Sequence, residues 1–196
     1  MVESLSNIFT AFGLSSSAGL NAYLPLLIVA LTARFTNLIQ LQQPYDVLTS
    51  WWVIGILVVL LIIEVVADKV PVVDHANDII QTVVRPAAGA ILFASNAHVV
   101  NDMHPVLALS AGLLVAGGVH ATKATVRPVV TATTGGLGNP VVSTLEDVLA
   151  FIVSIMAIVL PLITFIAIVV FILWVWRWWS NRSNRRNDWN TPAPGL

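Results

Sequence analysis

The sequence contains no cysteine, which excludes disulfides, Cys-ligated zinc and thiol chemistry. Charge is scarce as well. Only 10% of the residues are Asp, Glu, Lys or Arg, against about 25% in soluble domains. The 9 basic and 10 acidic residues sum to a net charge of -1, so no large basic surface exists for nucleic acid, and nucleic-acid partners are excluded. No Lys or Arg precedes Arg34, so the positive n-region of a secretory signal is missing and 18–33 reads as a retained helix. His75, His98, His104 and His120 form no HExxH pair, and no GxSxG is present; the metalloprotease and acyl-transfer patterns are therefore lacking. No catalytic residue and no cofactor is expected. The one metal arrangement worth stating is His75 with Asp74 and Asp78.

What the chain has is apolar length. Its 196 residues are 57% hydrophobic, with a mean hydropathy of +0.87. Spanning a hydrocarbon core takes about 20 apolar residues, and several runs qualify or come close. Val148 to Trp176 carries no charge; Pro161 inside it gives one kinked span or two segments meeting there. Val47 to Ala67 is a second run, and Gly19 to Phe35 reads as the first helix. Pro105 to Val119 is a further segment, rich in Gly and Ala. Pro86 to Ala97 is too short to span alone, so it is a re-entrant piece or part of a helix beginning near Val70. The expected fold is all-α: a polytopic helical membrane protein with four to six membrane-associated segments. The tetrad SAGL (Ser17–Leu20, Ser110–Leu113) and the triplet VRP (Val84–Pro86, Val126–Pro128) each occur twice, a weak echo that fits the inverted-repeat plan of small transporters. Residues 1–179 form the helical domain, and 180–196 a polar, disordered tail. Arg177, Arg182, Arg185 and Arg186 place that tail in the cytoplasm by the positive-inside rule.

The remaining charges fall into stripes. Glu64 and Asp68, four apart, share a helix face, with Lys69 beside them. Asp74, Asp78, Gln81 and Arg85 follow at steps of four, three and four. His120, Lys123 and Arg127 are three and four apart, and Glu146 with Asp147 opens the C-terminal apolar run. A charge at mid-membrane costs at least about 2.5–3.5 kcal/mol, so the acids require partners or water, and Lys69, Arg85, Lys123 and Arg127 are the available bases. Solvated interfacial loops would account for any one of these groups. The regularity of the stripes favours a polar cluster between helices, in which Lys123 and Arg127 line a cavity also touched by Glu146 or Asp147 and by the acids from Glu64 to Asp78. Pro128 is expected to limit the helix carrying the basic stripe, and Gly135 to Gly138 to reverse the chain. Asn139-Pro140 is a good helix start, and Ser143-x-x-Glu146 an alternative capping box. Asn21, in LNAYLP, lines a broken-helix ion site or bonds to a neighbouring helix.

GLSSSAGLNAYLPLL, EVVADKVPVVDHANDIIQTVVRPAAGA and GGVHATKATVRPVVTATTGGLGNPVVSTLEDV together resemble the bacterial membrane proteins grouped as domain of unknown function 4126, over about residues 13–162. The resemblance implies a small polytopic protein of the bacterial inner membrane and carries no established activity. The residues themselves point to a small transporter or channel with a charged intramembrane site. It would move an ion, a small organic anion or a phosphate-bearing lipid, with proton coupling as an option. Its partners would be the lipid bilayer and that solute, ion or lipid, with homo-oligomerisation left open. The alternatives are an intramembrane enzyme acting on a lipid headgroup and a non-catalytic scaffold whose polar stripes glue helices together.

Overall fold

The computed structural model describes the backbone of residues 2–68, 71–96 and 103–187, and the side chains of 5–68, 77, 79–96 and 103–177. Among the described residues the chain forms seven α-helices: α1 (Val2–Leu20), α2 (Tyr23–Phe35), α3 (Trp51–Ala67), α4 (Pro71–Ala94), α5 (Pro105–Thr134), α6 (Asn139–Val159) and α7 (Pro161–Asn187). A short 3-10 helix, Tyr45–Thr49, precedes α3, whose N-cap Ser50 accepts a hydrogen bond from the Val53 N–H.

Helix α1 is the central post, in contact with α4, α5, α6 and α7. Its packing rests on small hydroxyl residues. Ser15 Oγ donates to the Gly89 carbonyl at 2.9 Å, Ser17 Oγ to the Ala150 carbonyl at 2.7 Å and Thr10 Oγ1 to the Ala157 carbonyl at 3.0 Å. Helices α4 and α5 form the most extensive pair, and they approach backbone to backbone. A methyl group placed on Gly112 would collide with the Gly89 carbonyl, and one on Gly89 would collide with Ala116. Close approach of this kind is what Gly and Ala permit where helices pack without large side chains between them.

Four features differ from the sequence expectation. The helix expected from Gly19 to Phe35 breaks in two at Asn21. The Asn21 N–H still bonds to the Ser17 carbonyl at 3.1 Å, closing α1, while its Oδ1 accepts from the N–H groups of Tyr23 and Leu24 at 3.2 and 2.9 Å. One residue thus closes a helix through its backbone N–H and caps the next through its side chain. Pro128 does not limit α5, which runs on to Thr134 with Pro128 inside it. A proline removes one N–H and one helical bond, and the packed Arg127 beside it holds the turn in place. The stop comes at Gly135, in the left-handed region at φ 63. The Ser143–Glu146 pair is not a capping box, because α6 already starts at Asn139 and both side chains point elsewhere. Lastly, α7 stays helical to Asn187, past the expected tail boundary at Ser180, since arginines are good helix formers; residues 188–196 lie outside the described residues. Two open alternatives are also decided. Residues 86–94 are the end of the longer helix α4, and the chain turns at Leu160 (φ -134, ψ 62) so that α6 and α7 are separate helices.

Helices Pro105–Thr134 and Asn139–Val159 are long and apolar enough to cross a membrane, and only 22% of the apolar window of each is buried. The core helix of a soluble protein would be mostly buried. Four shorter helical stretches, Tyr23–Phe35, Trp51–Ala67, Ile79–Ala94 and Pro161–Arg177, are apolar as well. The last three carry Trp52, Ile63, Val83 and Val170 in the open, while much of the interior is polar. Large exposed apolar faces are what membrane or protein interaction surfaces present.

Candidate functional site

The interior polarity gathers into one group. Helix α3 supplies Glu64 from its last turn and Asp68 as its C-cap. Helix α4 supplies Asn77, Gln81, Thr82 and Arg85. Helix α5 supplies His120, Lys123 and Arg127, all buried although the rest of that helix is largely exposed. Helix α6 supplies Ser143, Glu146 and Asp147 from its first turns, and Asn21 enters from the α1–α2 break.

The charges alternate along a continuous chain. Glu64 Oε1 lies 3.1 Å from Arg85 Nη2, which is 4.0 Å from Asp68 Oδ2. The same Asp68 oxygen is 3.3 Å from Arg127 Nη2. Arg127 Nη2 in turn lies 3.4 Å from Glu146 Oε2, and Glu146 Oε2 is 2.6 Å from Lys123 Nζ. Asp68 is the centre of the array. Beyond its two arginines it accepts from Asn77 Nδ2 at 2.8 Å and from Ser143 Oγ at 3.1 Å. Those arginines are the middle residues of the two VRP triplets, so the repeated motif converges on one carboxylate.

Neutral groups orient the array at its edges. Arg85 Nη1 lies 3.2 Å from His120 Nδ1. A guanidinium only donates, so Nδ1 accepts and the imidazole proton sits on Nε2, facing Thr82 Oγ1 at 3.1 Å. Lys123 Nζ also donates to the Leu20 carbonyl at 3.3 Å, and Asn21 Nδ2 donates to Asp147 Oδ1 at 2.9 Å. Thr131 Oγ1 donates to Asn139 Oδ1 at 3.1 Å, which ties the end of α5 to the start of α6.

Burial is graded. Side-chain exposure falls from 12% at Glu146 to 8% at Arg127, 2% at Asp68 and 0% at Arg85 and Glu64. Asp147 is half-buried. Among the described residues three polar atoms at the deepest point have no hydrogen-bond partner: Glu64 Oε2, Gln81 Oε1 and Arg85 Nε. Buried polar atoms are normally satisfied, and an exception marks water, an ion or a functional group.

Of the sequence-derived candidates, the structure therefore brings together Asn21, Glu64, Asp68, Arg85, His120, Lys123, Arg127, Glu146 and Asp147. Lys69 lies outside the described residues, as do the side chains of Asp74 and Asp78; the His75 arrangement with these two acids falls there too. Among the described residues no group of three His, Asp or Glu is placed to hold a metal ion. Four participants were not among the site candidates drawn from sequence: Asn77, Gln81, Thr82 and Ser143. Gln81 had a signal, its place on the stripe that ends at Arg85; Ser143 was masked by its resemblance to a cap.

A family model described as Domain of unknown function (DUF4126) matches residues 8–181. The chain belongs to this family. No curated protein and no solved structure matches the chain. The matched span encloses the whole cluster, from Asn21 to Asp147.

Proposed function

We propose that this protein is a small membrane transporter or channel whose moving ion or solute passes through the charged cluster between α3, α4, α5 and α6. One observation carries the reading: a chain of six alternating charges, sealed among helices whose outer faces are apolar, reaches its most buried end with polar atoms still unpartnered. Burying ion pairs is costly and gives little net stability, and ionisable groups inside apolar helical assemblies mark ion pathways by default. In this reading α2 to α7 lie in the bilayer, and the cluster sits near one boundary, at the last turn of α3 and the first turns of α6. The arginines after Trp176 keep the C-terminus cytoplasmic. The two VRP arginines meeting on Asp68 support an inverted repeat. Arg85, Lys123 and Arg127 are each ion-paired within the cluster, which favours a cation or proton over an organic anion or phosphate-bearing lipid.

The same pairing favours a second reading, in which the cluster is glue for helix association. Purified protein in proteoliposomes separates the two. The vesicles, loaded with a pH-sensitive dye, are given gradients of protons, sodium, potassium, chloride and phosphate in turn. Dissipation of one gradient by the wild type, lost in Arg127→Gln with the fold retained by circular dichroism, is the transport outcome. Folded wild-type protein that moves none of these solutes overturns it in favour of the scaffold.

A further inference from the structure

Away from the cluster, a cation stands where α2 stops and α3 starts. Arg34, in the last turn of α2, is exposed. Its Nη1 donates to the Thr49 carbonyl at 2.6 Å, and its Cζ lies 4.2 Å from the centroid of the Trp51 ring, a cation–π contact. These two contacts hold the guanidinium in place. Among the described residues no carboxylate pairs with it, and Nε and Nη2 are not engaged.

The indole that carries Arg34 is also the start of an apolar groove. Trp51, Trp52, Gly55, Ile56, Val59 and Leu60 line a volume of about 540 Å³ along α3, in the range of ligand pockets. They form two rows of the helix surface, 51-55-59 and 52-56-60, at the spacing that leaves a groove between ridges. A methyl placed on Gly55 would meet nothing within 4 Å, so the groove has a notch one turn beyond the indoles. Trp52 is 86% exposed. We propose that this end of α3 binds one phospholipid, with its phosphate on the Arg34 guanidinium and an acyl chain along the groove.

The chemistry of the two parts selects this occupant. A guanidinium matches phosphate oxygens with parallel N–H···O bonds, and indoles settle at the level of lipid headgroups. A soluble anion would use Arg34 and leave the groove; a bare hydrocarbon chain would use the groove and leave Arg34. A second copy of α3 seated there would have to bring an acid to Arg34, and Trp51 to Ile63 contains no charged residue. The lipid is a fixed ligand and not the cargo, because Trp51 opens α3 whereas Glu64 lies in its last turn, about 20 Å further along the helix. The proposal rests on the bilayer placement of α2 and α3 in the transport reading, and not on transport itself.

Native mass spectrometry of the full chain, released from detergent after addition of phosphatidylglycerol, reads the bound lipid directly. The wild type should retain one phosphatidylglycerol, and retain diacylglycerol of the same chains roughly tenfold more weakly. Arg34→Gln and Gly55→Leu should each lower phosphatidylglycerol retention roughly tenfold, the worth of a charge-assisted bond or of a filled notch. Gly118→Leu, at another open helix glycine, should leave it unchanged. Equal retention of the two lipids, or retention unaltered by Arg34→Gln and Gly55→Leu, overturns the proposal. If Arg34→Gln does not fold, unchanged binding in Gly55→Leu overturns it. A dimer in place of the lipid adduct, broken by Gly55→Leu, overturns it in favour of a second copy. Loss of specific retention with the chain still recovered from membranes sinks the lipid site alone; retention without movement of any solute in proteoliposomes sinks the transport reading alone.

Discussion

Lys123 Nζ lies 2.6 Å from Glu146 Oε2, across the turn that joins α5 to α6. The same carboxylate oxygen also holds Arg127 at 3.4 Å, so the two ends of this pair are not equivalent. Removing Glu146 takes the carboxylate from Lys123 and leaves Arg127 to Asp68 alone, whereas removing Lys123 leaves Glu146 with Arg127.

Glu146→Gln should therefore destabilise the protein in detergent more than Lys123→Met. Breaking a buried pair costs about 3–5 kcal/mol, and Glu146→Gln should fall near the low end because Glu146 retains some exposure. The double variant should recover part of the loss. Thermal melts in one detergent decide it; equal effects of the two single variants, with simple additivity in the double, would show that the pair is uncoupled.

At the helix break, Asn21→Ser should keep the α2 cap and lose only the bond to Asp147. Asn21→Ala should lose both, and be less stable than Asn21→Ser by about 1 kcal/mol, the ordinary worth of a cap. Equal stability of the two variants would mean that the cap at Tyr23 and Leu24 is not what sets the break.

Two glycines in similar sequence surroundings should respond in opposite ways. Gly112→Ala would push a methyl into the Gly89 carbonyl and the Phe93 side chain, an overpacking expected to cost about 1–3 kcal/mol or more. Gly118→Ala meets nothing within 4 Å and should gain up to about 1 kcal/mol of helix propensity. Melting temperatures that move the same way in both would contradict the α4–α5 packing.

Ser143→Ala removes a donor from Asp68 and should cost about 1.5–3 kcal/mol, the usual range for a hydrogen bond to a charged group. Thr144→Ala, next to it and exposed, serves as the control and should change stability by less than about 0.5 kcal/mol. Equal effects at the two positions would place Ser143 outside the cluster.

The stripes were legible because helical spacing is a local property. Residues at 64 and 68, or at 120, 123 and 127, share a face whatever surrounds the helix. Which acid meets which base was not legible. Glu64 reaches Arg85 and Asp68 reaches Arg127 because α4 and α5 pack through Gly89 and Gly112, and no spacing within one helix encodes that. Ser143 and Pro128 show the same limit from the other side. A capping pattern and a helix breaker are both local signals, and here the neighbouring carboxylate and the packed Arg127 outweighed them. The break at Asn21 lay between: its Asn and nearby Pro25 were visible, but they also suit an unbroken helix start.

That break gives the centre of the protein two electrical poles. A helix carries about half a negative charge at its C-terminus and half a positive charge at its N-terminus. Helix α1 ends at Leu20, and its carbonyl receives the Lys123 ammonium; α2 begins just after Asn21, which binds the Asp147 carboxylate. Each pole thus faces a side chain of opposite sign. An uninterrupted helix from Val2 to Phe35 would present neither pole at this depth. The pause of two residues turns the backbone itself into part of the charged array.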